Sequence, residues 1–109
     1  CIGMTDIDVN NLLAQHRQEV ALGDAIVQLK LTAPFKLVFE TNLFTQQVHS
    51  LVLKLATLSK PSPEYDEVVR ELDAISYVQN YLQQLTVKGT EAAQSIREAN
   101  VFLSNNDED

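Results

Sequence analysis

The sequence predicts an all-α protein, an antiparallel helical bundle of three long helices plus a shorter C-terminal fourth helix. Three observations carry this. Apolar-periodic segments of nearly equal length cover residues 9–31, 34–58 and 63–87. The breaks between them are short and centre on Pro34 and on Pro61-Ser62-Pro63, where helices stop and restart. The 109 residues are 45% hydrophobic and 21% charged, the balance of one globular domain rather than of a disordered chain. A chain of this size can bury about two-thirds of its unfolded surface, so one core can hold it without disulfides or metal. The expected organisation is an N-terminal extension 1–5, a single helical domain 6–103 and a flexible acidic tail 104–109.

The first helix should begin near Thr5 and Asp8, which approximate a capping box, with Asp6 and Asp8 favourable beside the positive helix end. Its core row is Val9, Leu13, His16, Val20, Gly23 and Val27, spaced by three and four, with Leu12 and Ile26 widening the stripe. Glycine costs roughly 1 kcal/mol of helix propensity, so Gly23 on this row reads as a close helix crossing. Between Ala21 and Leu31 only Asp24, Gln28 and Lys30 break the apolar surface, which predicts burial against more than one neighbour.

Thr32-Ala33-Pro34 marks a break followed by a helix, because proline is tolerated in an opening turn whose amides lack internal partners. In that second helix Leu37, Thr41, Phe44, Val48, Leu51, Leu55 and Leu58 form a four-three repeat, the seam of helices packed at about 20°. Val38, Phe39, Leu43, Val52 and Leu53 lie beside it, so this helix is expected to be the most buried and central one. Residues 35–39 could form a strand by composition, but the unbroken periodicity favours helix.

Ser62, Pro63 and Glu64 supply a hydroxyl cap, a first-position proline and a first-turn acid for the third helix. Val68, Leu72, Ile75, Gln79, Leu82 and Leu85 define its buried face, and Asp66 and Arg70 are spaced to pair on the wet side. Lys88-Gly89 is expected to end it, the cation completing the last turn and the glycine taking a left-handed cap. Thr90 would restart a fourth helix with Ala92, Ile96, Ala99 and Leu103 as its stripe. The polar segment 104–109 offers no core residue and should lack fixed structure.

Charge narrows the function. Fifteen acidic residues against eight basic ones give a formal charge of −7, and the cations stand singly along the chain, so no basic stripe exists to grip nucleic-acid phosphates. No run approaches the roughly 18 apolar residues of a membrane span, since Lys54 interrupts the densest stretch. The chain starts with Cys1, its only cysteine, and has its only methionine at Met4. Cys1 alone forms no internal disulfide. It could be the lipidated first residue of a bacterial lipoprotein after signal cleavage, or Cys1-Ile2-Gly3 could be an extension ahead of a start at Met4. The second reading is preferred, because a Ser/Gly-rich tether is missing and Thr5 to Asp8 already open a helix. The expected location is accordingly cytoplasm or virion ahead of a membrane-anchored periplasmic site.

Catalytic patterns are not expected. Nucleophilic chemistry at Cys1 would need an adjacent histidine, yet His16 and His49 fall within helices. His16 on the apolar row reads as a boundary histidine, and a metal site built on the two would need further ligands. Glu64, Asp66, Glu67, Glu71 and Asp73 lie mostly on the polar side of their helix, and three glycines cannot assemble a phosphate cradle. No cofactor or metal is therefore predicted.

The functional expectation is steric. Tyr77 and Tyr81 stand one turn apart, nearly opposite Leu72 and off the predicted core, and tyrosine is enriched in interfaces. The junction of the first two helices, with Leu22, Ala25, Ile26, Leu29, Leu31, Phe35, Val38 and Phe39, has more apolar surface than its own helices can cover. These features predict a non-enzymatic bundle acting by protein–protein contact or self-association, a structural subunit of a larger assembly, of viral or phage type. The alternative is a bacterial periplasmic adaptor or inhibitor anchored by a lipid on Cys1.

Overall fold

Two helix starts are capped by side-chain hydroxyls. Thr32 stands extended before the second helical stretch, its Oγ1 accepting from the Phe35 N–H at 3.4 Å and donating to the Leu29 carbonyl at 2.7 Å. Ser62 Oγ accepts from the Tyr65 N–H at 3.1 Å, with Glu64 and Asp66 in the first turn beyond it. The computed structural model describes residues 6–107, with side chains from 8 to 104. Its elements are α1 (Asp6–Lys30), α2 (Ala33–Phe35), a π-helix (Lys36–Gln47), α3 (Val48–Thr57) and α4 (Pro63–Asp107). No strand occurs among the described residues. Since α2, the π-helix and α3 follow without a break, the chain has three helical stretches.

The all-α class and the two proline breaks are as the sequence implies, but the separate fourth helix is not. Lys88-Gly89 ends nothing: α4 runs through it without a break, 45 residues from Pro63 to Asp107, and Gly89 does not take a positive φ. The reason lies opposite. A Cβ built on Gly89 would stand 3.0 Å from the Gly23 Cα and 3.2 Å from the Glu19 carbonyl, and one on Gly23 would stand 3.0 Å from both the Gly89 Cα and the Leu85 carbonyl. Gly89 thus serves helix approach, not helix termination, as Gly23 was expected to do. The same helix runs to Asp107, so 104–107 are helical rather than a tail without fixed structure. Thr5 of the expected capping box, the extension 1–5 and Cys1 lie outside the described residues.

The second stretch is neither the most buried nor uniformly α-helical. Neither the π-helix nor α3 contains a fully buried residue, and Leu37 (65% exposed) and Thr41 of the expected seam face solvent. A π-helix bonds from i to i+5, so each turn takes up more residues than in an α-helix. Its half-buried positions are Phe39, Leu43 and Phe44, and with Phe35 just before it the inward aromatics are spaced four and five. The Thr45 Oγ1 donates to the Glu40 carbonyl five residues back, at 2.7 Å. The three-four rhythm returns in α3, where Val48, Leu51 and Leu55 are half-buried as expected, as is Leu58 at its C-cap.

Smaller shifts follow in the other helices. In α1 Ile26 is 4% exposed and takes the inward place expected of Val27, which is 46% exposed. In α4 Val78 replaces Gln79 on the buried face, and Asp66 and Arg70 are both exposed with no ion pair between them.

The chain divides into two compact units: a terminal unit of Cys1–Val27 with Gln84–Asp109, and a middle unit of Gln28–Gln83. Within the terminal unit, α1 and α4 run antiparallel. Gly23 meets Gly89, and Val9 to His16 lie along Ser95 to Leu103. Within the middle unit the second stretch and α4 also oppose each other. Lys54 and Leu58 lie beside Glu64 to Glu71, and Phe35 to Phe44 beside Gln79 to Gln83.

Candidate interaction surface

An antiparallel pair of helices buries only the stripe that each turns toward the other. Among the described residues Leu13, Ile26, Phe35, Val68 and Ala92 form the whole buried apolar core, and many large apolar side chains remain exposed. Isolated exposed apolar residues are ordinary, but a surface that carries many of them beside so small a core is not.

The sequence-predicted interaction residues separate by burial. Tyr77 and Tyr81 are exposed, at 72% and 52%, as are Leu22, Ala25, Leu29, Leu31 and Val38. Ile26 and Phe35 are buried and Phe39 half-buried. The Phe35 and Phe39 rings stack with centroids 4.8 Å apart, and Phe44 continues the row at 6.1 Å. These three aromatics hold the middle unit from within, while the tyrosines stand on its outside.

The terminal unit contains a second surface that the periodicity did not single out. Between α1 and α4 lies a groove of about 690 Å³, floored by Leu13 and Ala99 and walled by Leu12, His16, Phe102 and Leu103, with Ser95 and Glu98 at its edge. The small residues of α4 open it, because Ser95 and Ala99 leave the space that larger residues would fill. Phe102, 63% exposed, overhangs that space. The signal was available: Gly89, Ala92, Ala93, Ser95 and Ala99 make one small-residue stretch facing α1, once α4 is continued past Gly89. On the wet side, Arg97 Nη2 donates to Gln94 Oε1 at 2.7 Å and Gln94 Nε2 to Glu98 Oε1 at 3.0 Å, an exposed chain of bonds that ends on the Glu98 carboxylate.

The titratable groups do not converge. His16 Nδ1 is buried and 3.4 Å from Glu19 Oε1, a contact lacking hydrogen-bond geometry that becomes an ion pair only when the imidazole is protonated. His49 is exposed and belongs to the other unit. Glu64, Asp66, Glu67, Glu71 and Asp73 are all exposed. No group of three potential metal ligands occurs among the described residues, and no described helix is long and apolar enough to cross a membrane.

Fold and surface together define an all-α chain of paired helices with unfilled apolar faces. Compared with protein-family models, curated proteins and solved structures, it matches none.

Proposed function

We propose that the chain is a non-enzymatic interaction module, a structural or accessory subunit whose helix pairs are completed by helices of a protein partner or of another copy. The observation that carries this is the five-residue buried core set against exposed Leu31, Leu37, Leu53, Tyr77, Tyr81 and Phe102. Burying such side chains yields roughly 25 cal/mol per Å² of apolar surface, a gain the chain leaves unrealised on its own. The dispersal of its histidines and carboxylates supports a steric role over a chemical one.

Light scattering over a concentration series, combined with binding of an apolar fluorescent dye to the folded chain, tests the reading. The expected result is dye binding with native circular dichroism, and a mass or dye signal that falls when Leu37, Leu53 and Tyr77 are changed together to serine. A chain that stays monomeric at high concentration and binds no dye has no adhesive surface, and the reading fails.

A further inference from the structure

We propose that the groove of the terminal unit receives a basic amphipathic helix from another protein; this rests on the interaction reading above and names the partner's chemistry. The groove is bounded by two helices and open to solvent along its length, so an elongated occupant fits it better than a compact one. It spans residues 9–16 of α1 and 95–103 of α4, about 12 Å at 1.5 Å per helical residue. That admits some two turns of a docking helix, with apolar anchors at i, i+3 or i+4, and i+7.

Charge decides between a second copy and a different protein. The terminal unit contains nine of the fifteen acidic residues and only three of the eight basic ones, Arg17, Lys88 and Arg97, so it carries −6 of the chain's −7. The middle unit, at −1, is nearly balanced. Of the residues that line the groove, Glu98 is the acidic one, and no lysine or arginine lines it. A second terminal unit would bring the same sign of charge to this site. A helix with lysine or arginine beside its apolar face would meet opposite charge, which speeds encounter and selects partners.

The chain has no tryptophan, so a synthetic helical peptide carrying one reports binding by its own fluorescence. The probe has leucines on one face and lysines on the other. Its controls are a scrambled peptide of equal composition and a counterpart with glutamate in place of lysine. The lysine peptide is expected to bind at least about tenfold more tightly than either control, and more weakly as salt rises. Leu12→Ser/Phe102→Ser should weaken it about tenfold with the helical circular dichroism intact, while Tyr77→Ser/Tyr81→Ser leaves it unchanged. Equal binding of the scrambled peptide, insensitivity to Leu12→Ser/Phe102→Ser, or no binding would overturn the proposal. So would a dimer of the chain that Leu12→Ser/Phe102→Ser converts to monomer, which would make the occupant a second copy. If the peptide fails while the dye and scattering results hold, this inference falls alone; if those fail too, the interaction reading falls with it.

Discussion

The two units solve one problem with opposite means. In the terminal unit, Gly23 and Gly89 bring the backbones of α1 and α4 together, and Ala92 and Ala99 keep the seam thin. In the middle unit the helices are held by bulk: Phe35 stacks on Phe39, which meets Phe44 at a tilt, and α4 supplies Val68, Leu72 and Ile75. Both described glycines belong to the first unit and all three prolines to the second. Packing by close approach depends on the absence of side-chain atoms, and packing by bulk on their presence. The same kind of substitution should therefore act in opposite ways in the two places.

The largest effect should come from removing bulk. Phe35→Ala takes a 4%-exposed ring out of the aromatic row and should cost about 3 kcal/mol, seen in urea unfolding. Adding bulk at the glycine contact comes next. Alanine would stabilise an isolated helix by about 1 kcal/mol, but Gly23→Ala places its Cβ 3.0 Å from backbone atoms that cannot turn aside, so a net loss of about 2 kcal/mol is expected. Amide hydrogen exchange sharpens the contrast: Gly23→Ala should loosen 6–27 and 84–107, and Phe35→Ala should loosen 33–57 and 63–83. If each substitution loosens both units equally, the division into two packing modes is wrong.

Ser62→Ala removes the side-chain acceptor for the Tyr65 N–H and should cost about 1 kcal/mol, with exchange rising first in the opening turn of α4. The smallest effect belongs to Thr45→Val, which deletes the exposed bond to the Glu40 carbonyl. A loss of about 0.5 kcal/mol, with faster exchange confined to 36–47, is expected. Unchanged exchange there would mean that the hydroxyl does not help to hold the wider helix.

Particular residues show what the sequence could reveal. Periodicity with proline placement located the helical stretches, the Ser62 start and the close approach at Gly23. Two local rules misled. Lys88-Gly89 has the composition of a helix end, and only the row Leu82, Leu85, Gly89, Ala92, Ile96 and Ala99, continuous at three and four, shows that tertiary packing overrides the cap. The seam through Leu37 and Thr41 assumed α-helical pitch, whereas the aromatic spacing of four and five at Phe35, Phe39 and Phe44 already fitted a wider turn. The tyrosines stand where the pattern put them. The groove went unread because the chain was expected to break at Gly89; its small residues Ser95 and Ala99 become a signal only when α4 is continued past that glycine and set against α1.

The terminal unit joins residues 1–27 to 84–109, and this has a consequence for synthesis. The middle unit can close as a local hairpin once residue 83 has left the ribosome. The apolar row of α1, by contrast, finds its partner only after the last quarter of the chain is made, with a long loop to close. Until then Leu13 and Ile26 lack the helix that covers them, and only half of the unit's net negative charge, −3 on residues 1–27, is there to keep the waiting helix in solution.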